Sequence, residues 1–94
     1  MRDFLDDDVG YLEWVRSHTN GFVLNTRRAP DRNYLVLHRA SCRSISGARG
    51  EGAYTCRGYR KIVAETPDEL RRYAREVGRE DGSFSRECGL CKPL

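Results

Sequence analysis

"NYLVLHRASC", residues 33–42, is the stretch whose reading decides the fold. Asn33 to His38 include the aromatic and β-branched side chains of a strand. That strand delivers an imidazole, His38, four positions ahead of a thiol, Cys42, in the turn that follows. Two such groups at a strand end make half of a tetrahedral metal site. The other half stands in "CGLCK" (88–92), where Cys88 and Cys91 are three positions apart, a spacing that lets two side chains of one tight turn bind one ion. The expected ligand set is therefore His38, Cys42, Cys88 and Cys91 around zinc. Gly89 is expected to tolerate a backbone that turns amide hydrogens toward the sulfurs.

Upstream, "FVLNT" (22–26) is a second strand, and "RRAPDR" between the two supplies turn chemistry through Pro30 and Asp31, so the pair reads as a β-hairpin. Downstream, "YTCRGYRKIVA" (54–64) reads as a third strand, with Gly58 at a bulge or close approach. An amino-terminal helix follows the acidic cap at Asp6 to Asp8, with Val9, Leu12, Trp14 and Val15 at helical spacing up to about His18. Asn20 and Gly21 are expected to stop it in the left-handed conformation. In "TPDELRRYAREVG" (66–78), Thr66 caps, Pro67 takes the first helical position, Glu69 completes a capping box, and Leu70, Tyr73, Ala74 and Val77 form an apolar stripe before Gly78. "REDGSFSRE" (79–87) reads as an irregular, mobile connection, and "GARGEG" (47–52) as a surface loop without the Lys-Ser/Thr ending of a phosphate loop. The expected fold is a single α+β domain over residues 1–94: an N-terminal helix, a three-stranded antiparallel sheet, a C-terminal helix on one face, and one structural zinc knuckle.

Ninety-four residues build a thin core, which a bound ion would reinforce. No apolar run is long enough to span a bilayer, and the first ten residues, "MRDFLDDDVG", lack the basic-then-apolar pattern of a secretory leader, so the chain is expected in the cytoplasm. There thiols stay reduced and closely spaced cysteines bind metal, whereas a secreted chain would pair its four cysteines in two disulfides. Cys56, mid-strand, is the competing ligand but reads as a small buried hydrophobe, and His18 as a residue at the negative end of its helix. A redox role for "CGLC" would need a helix after its first cysteine. Neither a nucleophile with an activating base nor an acid–base pair of carboxylates is placed by the sequence, and no enzyme is expected.

The net charge of +3 is unevenly spread: Asp3, Asp6, Asp7 and Asp8 accompany a single Arg2, whereas residues 26–63 hold Arg27, Arg28, Arg32, Arg39, Arg43, Arg49, Arg57, Arg60 and Lys61 against Asp31 and Glu51. Such a concentration attracts polyanions, although it also describes an ordinary solvated surface. The role expected is nucleic-acid binding, with DNA ahead of RNA. Arg27, Arg28, Arg43, Arg57, Arg60 and Lys61 would contact phosphates, and Tyr54 or Tyr59 would stack on a base. The alternatives are a protein-interaction module, with acidic residues 3–8 and the first helix meeting a protein partner, and a small ribonuclease built on His38, Arg39 and Arg43.

The order His-x3-Cys, strand, capped helix and Cys-Gly-x-Cys-Lys-Pro (Cys88 to Pro93) resembles small bacterial zinc modules, among them the metal-binding N-terminal domain of the Ada DNA-repair family. The likeness covers residues 38–94 and is strongest at Cys42 and at Cys88 to Pro93. It implies a sheet beside a helix that leads into a zinc knuckle. In that family the four ligands are cysteines, and one accepts a methyl group from damaged phosphate backbone. Here His38 matches the first ligand and the connection from Cys42 to Cys88 is longer, so zinc binding carries over better than methyl transfer. The pattern "YLEWV", "GFVLN", "LHRASC", "CGLC" is also similar to modules of actinobacterial proteins, some attached to HNH-type endonucleases, which implies a DNA-related setting.

Overall fold

Leu24 lies in register between Leu37 on one neighbouring strand and Ile62 on the other, and these three side chains mark the centre of the sheet. The computed structural model describes residues 1–47 and 52–94. Its elements are β1 (Arg2–Phe4), α1 (Asp8–Ser17), β2 (Phe22–Arg27), β3 (Leu35–Arg39), a 3₁₀ turn (Arg43–Ile45), β4 (Tyr59–Ala64), α2 (Pro67–Glu76) and β5 (Arg86–Glu87). Arg49 and Glu51, and part of the glycine-rich stretch 47–52, lie outside the described residues.

The fold is α+β, and β2, β3 and β4 form the expected antiparallel centre. The sheet nevertheless has five strands, in the order β1-β4-β2-β3-β5, not three; β1 is antiparallel to β4 and β5 parallel to β3. Strands of three and two residues are too short to show an alternating pattern, which is why the sequence concealed them.

The central strands read as continuous apolar runs because both faces of the sheet are covered. Val23 and Val63 point to one face, where they pack with Tyr11, Trp14 and Val15 of α1 and with Phe4, Ala40, Ile45 and Tyr54. Leu24, Leu35, Leu37, Ile62 and Ala64 point to the other and pack on Leu70 and Ala74 of α2, with Tyr73, Val77 and Phe84 at the margin. Burial of each such side chain contributes about 1.5–3 kcal/mol. The two helices thus sandwich the sheet.

In α1, Asp7 is the cap, its Oδ1 accepting a hydrogen bond from the Gly10 amide at 2.8 Å. The buried face is Tyr11, Trp14 and Val15; Val9, expected in the stripe, is 71% exposed because it sits on the opposite side of the helix from Tyr11. The helix ends at Ser17, with the His18 ring stacked on Trp14 at 4.3 Å and its Nδ1 2.9 Å from the Trp14 carbonyl oxygen. Contrary to expectation, neither Asn20 nor Gly21 is left-handed. Gly21 is needed for space: a Cβ there would stand 2.7 Å from Trp14 Cη2, 3.0 Å from the His18 carbonyl oxygen and 3.2 Å from that of Ala64.

The second helix follows its sequence closely. Pro67 opens it, and Gly78, at φ +111°, closes it with a Schellman motif in which the Arg79 amide donates to the Ala74 carbonyl at 2.9 Å and the Gly78 amide to that of Arg75 at 3.1 Å. The Thr66 hydroxyl turns to the Glu69 carboxylate at 3.4 Å instead of capping a helix amide.

Two segments differ from expectation. Residues 54–58 are turn rather than strand, with Gly58 meeting no neighbour at its Cβ position. The connection 79–87 is tied down. Arg79 donates to the carbonyls of Arg32, Ser83 and Phe84, and Ser85 donates both its amide and its hydroxyl to the Leu35 carbonyl while its Oγ accepts from the Leu35 amide.

Candidate metal centre

β3 places His38 near its end, pointing to the α1 side of the sheet in register with Val23. The chain then turns, with the Ala40 amide donating to the Gly21 carbonyl and the Cys42 amide to that of Arg39, which sets Cys42 immediately before the 3₁₀ turn. β5 runs beside β3, and the Cys88 amide extends that pairing by donating to the Leu37 carbonyl at 2.9 Å. A turn closed by the Lys92 amide on the Cys88 carbonyl at 3.0 Å brings Cys91 back. The left-handed residue in this turn is Lys92, at φ +46°; Gly89 has no positive φ, and a Cβ there would touch nothing. The freedom expected of Gly89 is therefore not what the knuckle uses.

One ligand atom from each of His38, Cys42, Cys88 and Cys91 lies within 4.8 Å of every other, with His38 and Cys42 buried and the two later cysteines half-buried. All four ligands expected from the sequence meet. Sulfurs bound about 2.3 Å from a tetrahedral ion stand ~3.8 Å apart, and the Cys42 and Cys88 sulfurs are separated by 3.9 Å. Three soft sulfur donors with one imidazole suit zinc, and the group can hold one metal ion. Cys56 is outside this cluster and, against expectation, exposed, its Sγ 3.8 Å from Asp8 Oδ1.

The surroundings favour ligand-ready protonation states at His38 and Cys88, but not at Cys91. Burial, with the nearby Lys61 charge, lowers the His38 pKa to about 4, so the imidazole is neutral near pH 7 and has a lone pair to offer. Burial raises the Cys88 thiol, but the amides of Cys91 and Leu90 and the Cys91 and Cys42 side chains outweigh it and hold that thiol below its ordinary value. Cys91 is pushed up to about 11 by burial and by the other thiols, against the Arg39 amide that donates to its sulfur at 3.3 Å. A bound cation would offset that penalty, since it stabilises the thiolate form against burial and the neighbouring sulfurs. The Ser44 hydroxyl lies 3.0 Å from Cys42 Sγ and 3.4 Å from His38 Nδ1. Arg39 fastens the tail, donating to the Cys91 and Lys92 carbonyls at 3.1 and 3.2 Å.

The basic residues are less concentrated in space than in sequence. β1 lies beside β4, so Asp3 pairs with Arg60, while Asp6 pairs with Arg28 at 2.6 Å. Lys61 is buried, its ammonium donating to Asn25 Oδ1 and the Tyr54 carbonyl at 2.8 Å each, and Tyr54 is buried with its hydroxyl donating to the Gly47 carbonyl. Neither presents itself to a ligand outside as expected. Arg43 and Arg57 are exposed. Arg27 pairs with Asp31 at 3.7 Å and lies over the Tyr34 ring at 4.6 Å, with Tyr59 5.6 Å from Tyr34. Arg86 and Tyr34 were not singled out by sequence reasoning, because only the β3–β5 pairing brings Arg86 opposite Val36.

The fold and site together define an α+β domain in which one histidine and three cysteines form a group able to hold a metal. Comparison of the chain with protein-family models, with curated proteins and with solved structures finds no match. No helix among the described residues is long and apolar enough to cross a membrane.

Proposed function

We propose that the chain is a nucleic-acid-binding module, DNA ahead of RNA, held in shape by one structural zinc ion on His38, Cys42, Cys88 and Cys91. The observation that carries the zinc part of this reading is the four-ligand cluster, and the nucleic-acid part rests on the exposed arginines. With every tetrahedral position taken by a side chain, zinc has no place for an activated water, so its contribution is to folding and to the rigidity of the face around it. The likeness of Cys88 to Pro93 to the Ada zinc modules supports the same ion. Arg43 follows Cys42 directly in the chain, Arg86 lines the groove with His38 and Cys88, and Arg27 lies over Tyr34, whose ring is 5.6 Å from that of Tyr59. Arg43, Arg57 and Arg86 are exposed, and Arg27 is exposed with Asp31 3.7 Å away; Arg28 is held more closely by Asp6, and Arg60 by Asp3.

The acidic segment gives little support to a protein-interaction role. Asp3 and Asp6 are paired with arginines, Asp7 caps α1, and Asp8 binds Thr55. Titration of the zinc-loaded protein with DNA and RNA at several salt concentrations tests the proposal. Affinity that falls steeply as salt rises supports it, and a flat response, or no binding near micromolar, rejects it.

A further inference from the structure

α1 does not cover the whole of its side of the sheet. Beyond Val23 and Val63, the strands present Asn25, Val36 and His38 to a groove of about 470 Å³, walled by Tyr34, Ser44 and Arg86. A hollow of about 260 Å³ shares Asn25, Tyr34 and Ser44 and adds Tyr59 and Lys61. The larger volume falls in the lower half of the ~300–1,000 Å³ of small-molecule sites, and the smaller lies just below that range. Among the described residues, no carboxylate lines either part, whereas two amides, hydroxyls, three phenol rings and two cations do.

We propose that this groove takes one unpaired nucleotide, its base against Tyr34 and Asn25 and its phosphate toward Arg86. The assignment rests on the nucleic-acid reading and narrows it from phosphate contact to recognition of an unstacked base. The chemistry of the lining selects the ligand. Phenol rings offer stacking surface that every base can use. Asn25 gives its carbonyl oxygen to Lys61 at 2.8 Å and also hydrogen-bonds the Tyr34 phenol, which orients the amide and leaves one N–H donor for an acceptor on a base edge. The exposed Arg86 guanidinium, with no carboxylate among the described lining residues, favours an anion. His38, Cys88 and Gly89 close one end, so the metal cluster that includes His38 and Cys88 makes that wall rigid before a ligand arrives. A duplex cannot enter, since its bases are stacked and their edges paired; a single strand can turn one base in.

Affinities of the zinc-loaded protein for a single-stranded oligonucleotide, for the duplex of the same sequence and for thymidine monophosphate test this, together with Tyr34→Leu and Tyr34→Phe. The single strand is expected to bind at least about tenfold more tightly than the duplex, the equivalent of one stacked base. Tyr34→Leu should weaken it by roughly 5- to 150-fold, the range for removing one stacking ring, while Tyr34→Phe keeps most of the affinity. Equal affinity for strand and duplex, unmoved by Tyr34→Leu, overturns the groove assignment and leaves phosphate binding standing. Binding of thymidine monophosphate without either oligonucleotide keeps the groove as a nucleotide site and sinks the nucleic-acid role. No binding in any arm overturns both. Amide NMR shifts in Asn25, Tyr34 and Arg86 on adding the single strand locate the contact should Tyr34→Leu unfold.

Discussion

The sulfurs of Cys42 and Cys88 stand 3.9 Å apart across 46 positions of sequence, one before the 3₁₀ turn and the other just past β5. Such a contact closes a long loop, which costs chain entropy that a bound ion would offset.

A single zinc ion per chain is therefore expected by elemental analysis. Cys42→Ser or Cys88→Ser should lose it, and stripping it with a chelator should lower stability by several kcal/mol, on the order seen when small metal domains lose their ion. Full retention of the melting temperature after complete removal of metal would refute the structural role.

Cys56→Ser is expected to leave the metal content unchanged and stability within about 0.5 kcal/mol, as for surface substitutions generally. Its thiol is exposed and lies outside the ligand cluster. Thermal melts with elemental analysis check both.

Asp8 joins α1 to the turn at residues 54–56. Its Oδ1 accepts from the Thr55 amide at 2.7 Å and hydroxyl at 2.6 Å, and Thr55 is fully buried. Burial raises the Asp8 carboxyl, but the hydroxyl and amide of Thr55, with the Tyr54 amide, outweigh it and hold it below its ordinary value. The folded state thus binds this proton less readily than the unfolded one, so the stability it contributes is present above about pH 4 and is lost as pH falls through the lowered value. Asp8→Ala should cost about 1–3 kcal/mol by leaving buried Thr55 donors unmet, and melts of this variant should fall less between about pH 5 and 3 than those of the parent.

Gly21→Ala should destabilise by about 1–3 kcal/mol, the cost of overpacking. The added methyl meets two backbone carbonyls and the Trp14 ring together, so no single side chain can move to admit it. A wild-type denaturation midpoint would contradict this packing.

Arg27→Ala should reduce nucleic-acid affinity and lower the salt slope by about one, as expected when one phosphate-binding charge is removed. Arg28→Ala, whose guanidinium is held by Asp6 at 2.6 Å against 3.7 Å between Arg27 and Asp31, should change both less. Binding isotherms at several salt concentrations separate the two.

Much of this protein was legible locally. The hairpin, α2 with its proline start and glycine stop, and all four candidate ligands were readable because each depends on a few neighbouring residues: a turn between apolar runs, a proline and a glycine at the helix ends, a thiol spacing. Less legible was whatever depended on distant partners. β1 and β5 acquire strand geometry only by pairing with β4 and β3. The connection 79–87 looks featureless until Arg79 folds back on it, and Lys61 looks exposed until β4 turns it inward toward Asn25.

Local sequence was thus enough to set the type of the longer regular elements and the chemistry of a ligand group of one histidine and three cysteines, because backbone preference and donor identity belong to individual residues and their close neighbours. It took the assembled sheet to establish that the two helices cover opposite faces, that Asp3 and Asp6 neutralise Arg60 and Arg28, and that an open groove adjoins the cluster. Those outcomes depend on which strands lie side by side and in what register, a choice settled by how all the apolar side chains can be buried together.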